Sequence, residues 1–190
     1  ATQGGHSGAS LGVGGKAFSL LTWGIQPVRF LGDNFIADYF DRGYEVNRSA
    51  KFQIYNSKTT VIPSTIGWQA SLGASILGDA LTFGAVVSGP WSEQTQLYAL
   101  PQLQSYAALK PGLLPIDVNA FYVKNGLKTL GDLLTAENAL IGAKVGYTIG
   151  VVTLSVVYDL RYLTDTETAA AGNGNHWTSS SRIETAVKMF

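Results

Sequence analysis

Between Ala139 and Tyr162 one apolar stripe runs along a strand and returns along the next. Ala139, Ile141, Ala143, Val145 and Tyr147 hold the odd positions, with Gly142, Lys144 and Gly146 between them. This period of two is that of a strand with a single apolar face. After Thr148-Ile149-Gly150 the stripe moves to the even positions Val152, Leu154, Val156, Tyr158, Leu160 and Tyr162. A connection with an even number of residues produces that change of parity, so the segment is read as a β-hairpin. With Ile149-Gly150 as the turn, Tyr147 is expected opposite Val152, Val145 opposite Leu154, Ala143 opposite Val156 and Ile141 opposite Tyr158. Each arm has about 9–11 residues, the length a tilted strand needs to cross the hydrocarbon core of a bilayer. A hairpin of a soluble sandwich has the same alternation.

The pattern recurs from Thr65 to Gly89. Ile66, Trp68, Ala70, Leu72, Ala74 and Ile76 ascend, and Leu81, Phe83, Ala85 and Val87 descend around Gly78-Asp79, where glycine fits the first position of a type II′ turn. Ile76 is expected opposite Leu81, Ala74 opposite Phe83, Leu72 opposite Ala85 and Ala70 opposite Val87. Behind them Ser75, Gly73, Ser71 and Gln69 face Thr82, Gly84, Val86 and Ser88, a small and polar surface.

Elsewhere residues 9 to 25 read as one long strand, with Ala9, Leu11, Val13, Ala17, Leu21, Trp23 and Ile25 on one parity. The period breaks at Gln26. Leu31, Phe35, Tyr39 and Phe40 then recur at helical spacing, and a further strand is expected from Tyr44 to Ile54. Leu97 to Ala107 reads as an edge strand weakened by Pro101. Lys110-Pro111-Gly112 is a turn before a strand that includes Ile116, Val118, Ala120 and Tyr122. Leu127, Leu130, Leu133 and Leu134 suggest a short loop helix, residues 164 to 176 a polar loop, and Trp177 to Met189 the last strand.

Composition narrows the function classes. Hydrophobic residues make up 46% of the 190 and charged ones only 14%, against roughly 25% charged in an ordinary soluble domain. Thirteen basic and thirteen acidic residues cancel, so no nucleic-acid partner is indicated. The chain has no cysteine and two histidines without clustered ligand spacing, so neither a disulfide framework nor a metal site is expected, and no cofactor is implied. Asp33, Asp38 and Asp41 lack the spacing of an EF-hand loop. Gly12-Val13-Gly14-Gly15-Lys16 lacks the Walker spacing and the following Ser or Thr. No basic n-region with an apolar h-region opens the sequence, and no apolar run reaches the 18 or so residues of a membrane helix. A chain of this kind that spans a bilayer does so with strands.

With these strands, tight turns on some connections, longer loops on others and a terminal Phe190, the chain resembles the bacterial outer-membrane β-barrel class. Lys188 stands two places before Phe190, where members of that class commonly carry an aromatic or apolar residue. The resemblance implies an all-β, antiparallel transmembrane β-barrel, or a portion of one, of about 8–10 strands with short helical insertions in its loops. It implies one domain over residues 1–190, by itself or within a larger barrel. The expected location is the bacterial outer membrane, with membrane lipid, small solutes and other barrel or envelope subunits as partners. Passive, porin-like passage of small solutes is the expected role. The alternatives are a non-conducting structural barrel subunit and a soluble all-β sheath, filament or capsid protein.

Lys144, Asp159, Arg161, Arg182, Glu184 and Lys188 fall on the parity opposite the apolar stripe and are the candidates for a lumen. There they either line an aqueous path or pair with one another, since side chains fill the interior of a narrow barrel. Trp23, Trp68, Tyr147, Tyr158, Tyr162 and Trp177 are candidates for two membrane-interface belts, as alternatives to core packing. His176, Ser179 to Ser181 and Glu184 lie close in sequence but match no hydrolase motif. No enzymatic activity is expected.

Overall fold

In the computed structural model, which describes residues 2–3, 6–33, 35, 63–92, 101–110, 115–163, 165–172 and 174–187, the chain forms one antiparallel sheet. Its strands are β1 (Thr2–Gln3), β2 (His6–Ala17), β3 (Leu21–Leu31), β4 (Thr65–Ile76) and β5 (Leu81–Pro90), followed by β6 (Gln102–Leu109), β7 (Ile116–Lys124), β8 (Ala139–Ile149), β9 (Val152–Tyr162) and β10 (Trp177–Val187). Each strand pairs with its successor in the sequence, so the sheet is an uninterrupted meander of nine long strands with the short β1 at one side. Among the described residues β10 pairs with β9 alone, and the sheet is open. Helix α1 (Asp165–Ala171) and a 3-10 turn (Leu130–Leu134) are the helical elements among these residues.

The meander separates two rims. The connections after β2, β4, β6 and β8 are short in sequence, residues 18–20, 77–80, 110–115 and 150–151, and join strand ends at one rim. Those after β3, β5, β7 and β9, residues 32–64, 91–101, 125–138 and 163–176, are long in sequence and join strand ends at the other rim. Strands β2, β4, β6, β8 and β10 therefore all run from the long-loop rim to the short-turn rim.

The faces of the sheet reverse the arrangement of a soluble one-sided sheet, whose apolar face is turned to a core. Here the apolar face is open: Leu11, Val13, Ile25, Ile141, Val145 and Ile183 are all exposed, and Leu72 is 61% and Val156 51% accessible. On the polar face Ser155 is 3% and Val157 2% accessible. No second layer packs on the sheet among the described residues, whose inter-strand contacts join sequence neighbours. Neighbouring side chains on this face bury Ser155 and Val157 of β9, whereas Ser10, Lys16, Thr178 and Ser180 stay exposed.

The Thr65–Gly89 hairpin has the expected register, Ile76 opposite Leu81 through Ala70 opposite Val87. Its turn differs from type II′: Leu77, Gly78 and Asp79 all have positive φ, so four residues make the connection. In the second hairpin the turn is Gly150-Val151. Ile149 pairs with Val152, Tyr147 with Leu154, Val145 with Val156, Ala143 with Tyr158 and Ile141 with Leu160. The expected pairs are displaced by two residues, which preserves every face, and Gly150 at φ +61° takes the left-handed position that glycine tolerates. Cysteines at Ala143 and Tyr158 are expected to cross-link spontaneously, as are cysteines at Ala74 and Phe83, whereas Ala143 with Val156 should not. Efficient linking of the last pair by mass spectrometry would return the hairpin to its sequence-based register.

Residues 9 to 25 are two strands and not one. The connection at residues 18–20 has an odd number of residues, so Ala17 meets Leu21 and the apolar parity passes through the turn unchanged. Phe18 and Ser19 take positive φ there without a glycine to mark it. The break at Gln26 is a bulge, not the end of the strand. Pro27 cannot donate to the ladder, the registers with β2 and β4 shift at this point, and Val28 and Phe30 resume the exposed apolar stripe on the opposite parity. Strand β6 starts immediately after Pro101. Residues 165–171, expected as loop, form α1: acidic Asp165 and Glu167 open it, alanines continue it, and Gly172 at φ +68° follows it. The expected helix at 31–40 falls largely outside the described residues. The strand from Tyr44 to Ile54, Pro111-Gly112, Lys188 and Phe190 lie wholly outside them.

Candidate functional site

On the polar face of β8, β9 and β10 the lumen candidates form a chain of alternating charge. Lys144 Nζ lies 2.6 Å from Glu184 Oε2, Glu184 Oε1 accepts from Arg182 Nε at 2.9 Å, and Arg182 Nη1 donates to Asp159 Oδ2 at 2.7 Å. Lys144 is on β8 and Glu184 on β10, so this contact bridges β9. In register, Val157 lies between Lys144 and Arg182, and Ser155 between Gly146 and Glu184, which is why both are almost inaccessible. The four charges sum to zero. Arg161 points instead toward the long-loop rim, donating to Glu167 of α1 at 2.9 Å.

Gly142 explains how the polar face of β7–β9 fills. It pairs with Phe121 on one side and Asp159 on the other, and a Cβ there would collide with the Phe121 ring and Asp159 Oδ1. The ring thus lies over the neighbouring glycine and fills the polar face of β7 and β8. Across the sheet the same face is thinly filled. Gly12, Gly14, Gly24, Gln26, Gln69 and Ser71 of β2, β3 and β4 border a cavity of about 300 Å³.

The aromatic candidates all lie on the apolar face, at two levels. Trp23 and Tyr147 are near the short-turn rim and partly exposed. Trp68, Tyr158, Tyr162 and Trp177 are nearer the long-loop rim. Trp68 lies 6.3 Å from Trp91, whose indole Nε1 donates to the Pro27 carbonyl at 2.8 Å. Tyr162 stacks on His176 at 5.1 Å and meets Trp177 edge-on at 5.4 Å. His176 Nδ1 is within hydrogen-bond distance of Thr168 Oγ1, 3.2 Å, and the Leu163 carbonyl, 3.3 Å. Ser179 and Ser181 share the apolar parity while Ser180 and Glu184 share the other, so these residues do not converge with the histidine.

At the long-loop rim Lys124 carries the one charge on the apolar parity of the described strands. It is 1% accessible because the 125–138 loop folds over it. Its ammonium donates to the Thr135 carbonyl and Thr135 Oγ1, both at 2.9 Å, and to the Glu137 carbonyl. Tyr122 donates to the Leu133 carbonyl at 3.0 Å. The loop is fixed from within by Asp132, whose carboxylate accepts from the Thr129 and Lys128 amides and is held below its ordinary range chiefly by those two bonds. Sequence periodicity did not reveal this clamp, because Lys124 and Tyr122 only continue a strand pattern until the loop carbonyls are placed over them.

Comparison with protein-family models, with curated proteins and with solved structures finds no match.

Proposed function

We propose that this chain forms the wall of an antiparallel β-barrel embedded in a bacterial outer membrane and passes small solutes by passive permeation. The observation that carries this reading is the inversion of the faces: the apolar face is open, while polar and charged side chains lie on the other, close-packed over β7–β9 and sparse over β2–β4. Lipid is the surrounding that suits such a face, since strands cross a bilayer as apolar-out, polar-in alternation. Arms of 9 to 12 residues in β2–β5 and β7–β10 have the length required, and β6 has 8. Short turns at one rim, long loops at the other and aromatics at two levels support the same reading. A second reading, a non-conducting subunit of a larger barrel, is supported by the far edge of β10, which has no partner among the described residues.

The test is conductance in planar bilayers. The parent is expected to conduct above the lipid background. Lys144→Gln and Arg182→Gln each remove one positive charge from a set that sums to zero, so each should shift ion preference toward cations. A parent without conductance removes the passage reading and leaves the structural subunit. Conductance with unchanged preference would place the permeation path away from β8–β10.

A further inference from the structure

The polar face divides into a charged half and an amide half. On β8–β10 the charges neutralise one another. On β3–β6 the register sets Gln26 opposite Gln69, Gln69 opposite Ser88, and Ser88 opposite Gln102. Four adjacent strands thereby bring three carboxamides and a hydroxyl to one level. Gln102 Nε2 already donates to Ser88 Oγ at 3.3 Å. Gln26, Gln69 and Ser71 border the cavity of about 300 Å³, whose other lining residues are Gly12, Val13, Gly14, Gly24 and Ile25. That volume is at the lower end of small-molecule pockets. Arg29, the charged residue on the same face of β3, pairs with Gly67 beyond the bulge and is not part of the lining.

We infer that Gln26 and Gln69, with Ser71 beside them, form a binding subsite for uncharged polyhydroxylated solutes of sugar size, backed by the paired Ser88 and Gln102, of which Ser88 is buried. A carboxamide offers two donors and one acceptor oxygen, and a sugar hydroxyl both donates and accepts, so a row of amides satisfies such a ligand without charge. An ion obtains no counter-charge from this lining. Glycine backbones at the floor leave the space that larger side chains would occupy. The inference rests on the proposal that this face lines a solute path, but binding is measurable without conduction.

The detergent-folded full chain is titrated with maltose by isothermal calorimetry, at low and at high KCl. Saturable binding that is insensitive to salt is expected. Gln69→Leu and Gln26→Leu, made separately, should each weaken it roughly five- to tenfold, the scale of a lost neutral hydrogen bond. Gln69→Asn retains the amide and tests the site should the leucine variant misfold; a shortened amide should also weaken binding. Absence of maltose binding by the parent overturns the inference, as does parent-like affinity in the folded variants. Binding by a chain that does not conduct would keep the subsite and remove the passage reading, whereas conduction without binding would do the reverse.

Discussion

Arginine at Leu72 or at Val156 is expected to destabilise the lipid-folded chain by about 2–4 kcal/mol, the cost of a cationic side chain on the lipid face near mid-depth. Both residues are more than half exposed, and both lie within the apolar stripe away from the strand ends. Arginine at Ala186, exposed on the polar face of β10 and opposite Thr153, should change stability by no more than about 0.5 kcal/mol. Urea unfolding of the chain in vesicles, followed by tryptophan fluorescence, measures all three. Equal stability of Leu72→Arg, Val156→Arg and the parent would remove the lipid from the apolar face, and a variant that becomes a folded monomer without detergent would do so more directly.

Lys124→Met is expected to cost about 1.5–3 kcal/mol, because it takes a charged donor from oxygen acceptors under a closed loop. Methionine keeps most of the apolar stem, so the loss is assigned to the ammonium. Deep inside this rim Asn125 is 1% accessible and its carboxamide has no hydrogen-bond partner among the described residues. The loop therefore depends on Lys124 more than its accessible surface suggests. Hydrogen exchange should accelerate at the amides of residues 125–138 and leave β8 and β9 protected. A variant with unchanged exchange would show that Asp132 and Tyr122 hold the loop by themselves. Lower pH tests the Asp132 part separately. A carboxylate whose folded pKa is depressed contributes above its ordinary value, and that contribution is lost as pH falls through the folded one. The loop amides should loosen only at acid pH.

The alternating stripes made the two hairpins legible because period two survives a register error of two residues, as at Gly150. The same property concealed the turn at Phe18-Ser19-Leu20, where an odd connection left the parity intact and no glycine marked the positive φ. Pro27 had the opposite effect, reversing parity inside a strand so that one element looked finished. Composition disclosed α1 poorly, since its alanines are as small as loop residues. Of the candidate site, parity placed Lys144, Asp159, Arg182 and Glu184 on one face. It could not pair Lys144 with Glu184, because that contact crosses an intervening strand. The amide row was half visible: the Thr65–Gly89 register already faced Gln69 with Ser88, but Gln26 and Gln102 join it only through neighbouring strands.

The common direction of β2 and β10 fixes the chemistry of any seam between them. Two strands descending together can exchange only the slanted, evenly spaced hydrogen bonds of a parallel pair, the less stable ladder per residue. β1 ascends beside β2, and an ascending strand is what β10 needs for an antiparallel partner. β1 makes the count even but is two residues long, so a seam of full length needs a longer strand in that place, from this chain or from another.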